Sequence, residues 1–523
     1  MSASAAAIAT SLLAAGSRSP HELSPNIKVT VIGDAFVDIV ATHVNELPTW
    51  GHNSLSERLD IFTGGSAGNV VAHLAAFSHK QPLQIDLNKK TSSNTSSKKP
   101  ATTAAAPSSA LPAPLFPAPA YICHIGNDSL GNYTLRHQQA RGVDTSFVLK
   151  DPVASTGGCL VLSSHAAGDR SFVSSLGANA TFTPGHLARH AGVMARLAAS
   201  SHVHVSNLLG LPLISSTDKD NAQISSNSSN ANASGKSGSG KASPKSKSKD
   251  KNNSTSTSTA AAVSSDSTSL ADVLTAVRAR APGVTLSVDP QNANGAPWVS
   301  PAVAAVLALC DVLLPNEVEA AHMAAYALAA GFVAVSQTTT ATETGSGATV
   351  PTVTRLDFDA IVAANSNSNA SHAVVNTNSY TYARVVPAPV TLSAEATAAA
   401  SAAASASASL PDSVVVGVLT ALLPAHALLV LKEGPRGARA FARGRCIASC
   451  PVFPATVVDT TGGGDSFDAA FLAAWLSGHG AAAAVRAGCA TGAIRVGVVS
   501  GSSHCPTWAQ VMDKTAEKPV AAL

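Results

Sequence analysis

The sequence predicts an α/β protein: one large domain with a central, mostly parallel sheet, interrupted by long polar insertions. Three observations predict it. Short apolar runs ending in a glycine or an acid recur along the chain, as in Lys28–Gly33 (KVTVIG), Val284–Pro290 (VTLSVDP) and the start of Ala427–Phe441 (ALLVLKEGPRGARAF). Such runs read as strands buried on both faces of a parallel sheet. Two glycine turns open directly into helical periodicity, at Thr63–Phe77 and at Val457–Gly478. Finally, the 523 residues shrink to the size of one domain once the stretches that cannot build a core are set aside.

Those stretches are residues 1–25, 88–117, 216–266 and most of 333–411, rich in Ala, Ser, Thr, Asn, Lys and Pro and poor in large apolar groups. Removing them leaves roughly 340 residues, which suits one α/β domain over 26–510 with a C-terminal tail at 511–523. The net charge of +3 follows the same division. Residues 88–117 and 216–266 hold eleven Lys and four Asp, so the remainder carries −4. A mildly acidic folded part gives no reason for a nucleic-acid partner. The run SPKSKSKDK reads as a solvated loop. Seven scattered cysteines without a CxxC pair argue against a disulfide framework or a zinc site, and a reducing, cytoplasmic setting fits. No apolar run is long enough for a membrane span. The Ala/Ser-rich start reads as a disordered tail, with an organelle transit peptide as the alternative.

The elements follow in order. Lys28–Gly33 is the first parallel strand, leading to Asp34 and Asp38, and acids at that end of a strand sit where open α/β sheets bind ligands. Residues 40–62 alternate loosely and end in Leu59, Ile61 and Phe62. In Thr63–Phe77, Gly64 and Gly65 permit close approach, Asn69 offers a donor and an acceptor, and Val70, Val71, Leu74, Ala75 and Phe77 form the buried face. Residues 121–149 read strand, amphipathic helix, strand. Gly158–Ser163 and Arg170–Ser175 form a hairpin around AAGD, followed by Gly177–Ala180 (GANA). His202–Leu209 is a strand whose His202 and His204 read as ordinary core or edge residues. Leu274–Ala281 is a helix. Cys310–Glu319 is a strand entering a helix behind Pro315, and Asn316 with Glu319 has the spacing of a capping box. Ala427–Phe441 is strand, KxGxxG turn (Lys432, Gly434, Gly437), strand, and Ala481–Val499 is a small-residue helix.

Val457–Gly478 (VVDTTGGGDSFDAAFLAAWLSG) carries the chemistry. Val457 and Val458 read as the end of a strand; Phe467, Ala470, Phe471, Ala474 and Trp475 recur at helical steps. Between them, Gly462, Gly463 and Gly464 leave backbone amides bare at a helix N-terminus, where the helix dipole adds positive charge. That is a phosphate cradle. An acid inside it, Asp465, would repel a bound anion, but it makes sense as the group that takes a proton from an acceptor hydroxyl. The alternative is an N-cap beside a tight turn.

DTTGGGDSF resembles the C-terminal signature of the ribokinase-like (PfkB) carbohydrate and nucleoside kinases, D-T-x-G-A-G-D, with Gly463 in place of the common alanine. GGSAGN (Gly64–Asn69) is similar to their N-terminal G-G-x-x-x-N signature. The likeness covers residues 27–215, 267–332 and 412–510, and implies a three-layer α/β/α domain with a small β-sheet lid from about 40–62 and 155–176. It implies Asp465 as catalytic base and Gly462, Gly463 and Gly464 as anion hole. Asp38, Gly64, Gly65, Asn69 and Asn179 would meet the acceptor. Asn316, Lys432, Gly434, Gly437, Gly464 and Cys489 would meet ATP, and Glu319 would organise Mg²⁺ through water. Asp459 and Thr461, with backbone near 495–501, would hold a monovalent cation such as K⁺, as in some members. Lids of two copies commonly pair, so a homodimer is implied. Phe36 and Ser66 stand where ribokinase proper tends to have Asn and Lys, which points away from ribose.

The function expected is ATP-dependent phosphorylation of a hydroxyl on a small sugar. A nucleoside acceptor is the alternative within the fold; a non-catalytic scaffold using the polar insertions as arms is the alternative of another class.

Overall fold

The structure, a computed structural model, describes residues 26–42, 44, 50–78, 117–163, 170–214, 268–291, 297–340, 348–355, 410–499 and 501–520. The tail 1–25, the insertions at 88–116 and 216–266, and residues 356–409 of the third insertion lie outside them.

In chain order the described strands are β1 (Val29–Ile32), β2 (Phe36–Thr42), β3 (Arg58–Gly64), β4 (Ala120–Ile122), β5 (His124–Gly126), β6 (Leu149–Asp151), β7 (Gly157–Ser163) and β8 (Arg170–Ser175). They continue with β9 (His202–Ser206), β10 (Thr285–Asp289), β11 (Val312–Leu313), β12 (Val333–Thr340), β13 (Ala348–Arg355), β14 (Leu428–Lys432), β15 (Ala438–Ala442) and β16 (Arg445–Cys450). Eight of them form the central sheet in the order β16-β15-β14-β11-β10-β9-β1-β4. From β14 to β4 every pairing is parallel; β15 and β16 add an antiparallel edge.

Each inner strand sends alternate residues to opposite layers, because the side-chain period of a strand is two. Val203, Val205, Leu286, Val288, Leu313, Leu429 and Leu431 join one core, against the helices Leu270–Arg280, Pro301–Leu307, Glu317–Ala329 and Asp412–Leu422. Val29, Val31, Val312, Leu428 and Val430 join the other, against the helices Ser66–Ala76, Gly463–Leu476, Gly480–Arg495 and Trp508–Ala516. The result is a three-layer α/β/α sandwich. The helix starts obey local rules: Ser269 and Thr507 make capping boxes, and Ser300 caps a helix whose first residue is Pro301.

A second sheet, in the order β3-β2-β7-β8, is entered from the carboxyl end of β1. β2 leaves β1 after three residues and pairs antiparallel with β3 and parallel with β7. β7 and β8 pair as the hairpin expected from their sequence, although the turn itself, residues 164–169, lies outside the described residues.

Three expectations are corrected. Val457 and Val458 end no strand; the amides of Val458 and Asp459 both donate to the carbonyl of Val496, so this segment is tied to a helix end instead of a ladder. Residues 333–411 are not all structureless: β12 and β13 pair antiparallel within them, in β-branched runs. The chain past residue 510 is no tail. The last helix runs to Ala516 and buries Val511 and Met512 beside Trp508, whose indole meets the Phe77 ring edge-on at 5.4 Å.

Candidate active site

Two glycine turns face each other at the carboxyl end of the sheet. Gly462 precedes the helix Gly463–Leu476 with φ of 73°, a left-handed backbone that suits glycine. A Cβ there would stand 2.6 Å from Cα of Gly501, so the close approach of the 501 loop requires glycine as well. Asp465 lies in the first turn but caps nothing in its own helix. Its carboxylate points across to the other turn. Oδ1 accepts from Ser66 Oγ at 2.7 Å and from Gln291 Nε2 at 3.4 Å; Oδ2 accepts from Asn69 Nδ2 at 2.8 Å. Burial, then the nearby Asp289, push its carboxyl up to about 7, against the Asn69 and Ser66 hydrogen bonds and the charge of Lys432.

The facing helix, Ser66–Ala76, starts after Gly65 at φ 86°. Its bare amides are satisfied by Asp34: Ser66 N donates at 3.2 Å and Ala67 N at 2.9 Å. Asn207, held at φ 57°, donates its amide to Asp34 at 2.8 Å. Asp38 lies in the lid strand β2, and a Cβ on Gly64 would stand 2.2 Å from its Oδ2, so glycine makes room for that carboxylate. Burial, then Asp34, Asp459 and Asp465, raise Asp38 to about 7. Thus Asp465 and Asn69 are in direct contact, and Asp38 is within electrostatic reach of Asp465. Asn69 Oδ1 is buried with no partner among the described residues. Asn179 sits behind the site; its amide both accepts from the backbone N–H of Ala35 at 3.0 Å and donates to the Ala35 carbonyl at 2.9 Å, which fixes the loop between Asp34 and Asp38.

The remaining expected residues gather on the β14 side. Asn316 and Glu319 form a complete capping box: Oδ1 accepts from Glu319 N at 2.9 Å, and the Glu319 carboxylate accepts from Asn316 N at 2.9 Å and Nδ2 at 2.6 Å. Burial, then Asp289, raise Glu319 to about 7. Gly434 and Gly437 have φ of 53° and 98°, and a Cβ on Gly437 would meet the Cys450 carbonyl at 2.0 Å. Lys432 does not reach out of this turn. Its ammonium is buried between Asp468 at 2.9 Å and Asp289 at 3.3 Å, under the first turn that carries Gly464. Cys489 is buried and donates its Sγ to the Cys450 carbonyl at 3.5 Å. Asp459 accepts from Thr461 N at 2.7 Å. In the loop expected to hold a monovalent cation, the carbonyls of Val498 and Gly501 accept from the Arg495 guanidinium, and that of Val496 accepts from two amides.

Three residues that touch or flank Asp465 escaped sequence reasoning, Asp289, Gln291 and Asp468, and Ser66 was singled out only for the acceptor, not as a partner of Asp465. Asp289 had a signal, an acid at the carboxyl end of a strand-like run. Asp468 had another, an acid one helical turn after Asp465 in a run that is otherwise apolar from Phe467 to Leu476. Gln291, at φ 56°, had none in a single sequence.

The sequence profile described as pfkB family carbohydrate kinase matches residues 113–249 and 381–508, just over half of the chain. No curated protein sequence matches. Among solved structures, the ribokinase of Arabidopsis thaliana complexed with ribose and ATP is similar with a TM-score of 0.51 at 16% identity, over 94% of this chain and 99% of that one. The ribokinase of Giardia lamblia gives 0.50 at 15%, over 94% and 99%. A ribokinase homologue from Agrobacterium tumefaciens gives 0.50 at 14%, over 94% and 98%. These likenesses place the fold as ribokinase-like.

Proposed function

Because this chain belongs to the PfkB family of carbohydrate kinases, we propose that it transfers the γ-phosphoryl group of ATP to a hydroxyl of a small sugar. One observation carries the reading: a buried carboxylate in the first turn of a glycine-opened helix, turned away from its own helix and held by Ser66 and Asn69. A residue serving only the helix would cap it. Asp465 instead faces the place where an alcohol would enter between Asp38 and Asn69.

The acceptor O–H donates to Asp465, which takes the proton as the oxygen bonds to phosphorus and the bond to the ADP oxygen breaks. Amides of Gly462–Gly464 and the helix dipole stabilise charge on the phosphoryl oxygens. Asp38 and the unpartnered Oδ1 of Asn69 accept from other hydroxyls of the acceptor, while Gly64 and Gly65 let it close on the backbone. ATP lies along Asn316, Gly434, Gly437, Gly464 and the wall backed by Cys489. For Mg²⁺ the residue present is Glu319, whose carboxyl is raised to about 7 by burial and then by Asp289; among the described residues no three acids are grouped to chelate an ion directly. Glu319 would hold the ion through water, and the ion would supply charge neutralisation between the phosphates.

A nucleoside acceptor is the second reading. Phe62 is the register partner of Asp38, and Phe36 lies two residues away on the same lid face, so two half-buried rings flank the carboxylate. That face suits a base as well as an apolar sugar edge. The opposite lid face exposes Ile61, Leu160 and Val173 in one lateral row. A second copy docking there would make the homodimer that sedimentation can measure.

ADP release over a panel of sugars and nucleosides tests both. Phosphorylation of a sugar by the wild type and none by Asp465→Asn is the result expected. Equal turnover by the variant would remove Asp465 from the mechanism.

A further inference from the structure

A chain of polar contacts runs behind the base. Asp468 and Asp289, both fully buried, grip Lys432 Nζ at 2.9 and 3.3 Å. The other oxygen of Asp289 accepts from Gln291 Nε2 at 2.8 Å and from Ser66 Oγ at 3.3 Å. Those same two donors reach Oδ1 of Asp465, at 3.4 and 2.7 Å. Two buried carboxylates thus share a hydroxyl and an amide, and one lysine is the nearest positive charge to both. Gln291 takes its place at a left-handed backbone angle that costs a side-chain-bearing residue about 1–3 kcal/mol, which is the pattern of a functional position.

We propose that Lys432, braced by Asp468, is a positioning residue for the base: through Asp289 it fixes the Ser66 and Gln291 donors on Asp465. The proposal rests on the reading of Asp465 as proton acceptor. It reassigns the lysine of the KxGxxG turn from the nucleotide to the acceptor side of the reaction. The groups facing Asp465 are Asp468 on its own helix, Asp289 and Lys432 on β10 and β14, Glu319 beyond them, and Asp38 and Asp34 on the lid side. Five of these six are acids, and Lys432 is the one cation among them. Burial works against the Lys432 ammonium, but Asp289 and then Asp468 more than offset this, and it stays charged at any pH of use. Lys432 lowers the Asp465 carboxyl and Asp289 raises it, so the two have opposite signs.

The test is a carbon-13 NMR titration of aspartate carboxyls in the full-length protein, with Asp465 identified by the resonance missing from Asp465→Asn. Relative to wild type, Lys432→Met should raise the Asp465 midpoint by about one pH unit or more, Asp289→Asn should lower it by a similar amount, and Lys432→Arg should restore it. A residue that only braces the fold would change stability without moving the midpoint in opposite directions. If Lys432→Met fails to fold, the near-isosteric Asp289→Asn decides alone. A midpoint unmoved in folded variants overturns the proposal. Absence of ADP release by wild type with every sugar and nucleoside would instead end the kinase reading, and the titration would still report on the contact chain.

Discussion

The two faces of the central sheet come from the same strands and are built in opposite ways. Toward the helices Leu270–Arg280 and Asp412–Leu422, strands β9, β10 and β14 present only aliphatic side chains, Val203, Val205, Leu286, Val288, Leu429 and Leu431. Toward the helix Gly463–Leu476 the same three strands present Leu428 and Val430 of β14, but otherwise His202, His204, Ser206, Ser287, Asp289 and Lys432, all buried. His202 bonds Thr285 at 2.8 Å and Ser287 at 2.7 Å, and His204 bonds Ser287 at 2.7 Å. Burial pushes both imidazoles down to about 3, so they are neutral. One face stabilises by apolar burial. The other gives up part of that gain to hold a line of polar groups that ends at Asp465.

The largest break in this comparison is at that end. Asp465→Asn is expected to lower turnover about 10²–10⁴-fold with ATP binding retained, read by ADP release and by nucleotide titration. The same variant tests the energetic cost of the polar face. The native carboxyl keeps its proton up to about 7, whereas the unfolded one loses it near the ordinary 3.8. Between those values the folded state binds more protons, so this group's contribution falls as pH rises through that window. Asparagine carries no charge to desolvate. The variant should therefore melt higher than wild type at pH 8 and close to it at pH 5; each pH unit of difference is worth about 1.4 kcal/mol. Wild-type turnover should rise with pH through about 7, as the base ionises. A variant equally or less stable at pH 8 would contradict the view that ionised Asp465 is held at a cost.

Adjacent residues on β10 sharpen the contrast. Leu286 faces the apolar layer and Leu286→Ala should cost about 2–5 kcal/mol in denaturant unfolding, with turnover per folded molecule unchanged. Ser287 faces the polar layer. Ser287→Ala removes one hydroxyl but strands a nitrogen of each of two buried histidines, at about 1–3 kcal/mol. If the alanine at 287 proved neutral, the histidines would be finding other partners and the polar face would be looser than its distances state.

How much of this was legible follows from the same division. The apolar face is written in periodicity: KVTVIG, VTLSVDP and ALLVLK announce strands, and the two glycine turns announce helix starts. Asp465, Asn69 and Asp38 were legible because glycines beside them have a physical reason in a single sequence. The polar face was not. His202 and His204 alternate as any half-buried strand does, and nothing local says that the opposite layer brings Trp475 edge-on to His202 at 6.2 Å. The burial of Lys432 between two acids was not legible because those partners, 143 and 36 residues away, come from other elements. The Asn316–Glu319 pair had two readings from spacing, and the capping box is present without removing either residue from the cleft.

The smallest effect tests how tightly the two glycine turns are coupled. Gly501 follows the last turn of the Gly480–Arg495 helix, and a Cβ there would stand 2.5 Å from Asn69 Nδ2, closer than real side-chain contacts allow. Asn69 must then give way, and it holds Asp465 through that same nitrogen at 2.8 Å. Its Cγ and Oδ1 would stand at 2.8 Å as well, so the end of this buried side chain has to swing off the new methyl group. Gly501→Ala should thus reduce turnover about five- to tenfold, near 1 kcal/mol, chiefly in kcat, because the misplaced group is the base and not the ATP site. The melting temperature should change little, since no polar partner is lost. A loss confined to the KM for ATP would place the 501 loop on the nucleotide instead, and separate it from the Asn69–Asp465 pair.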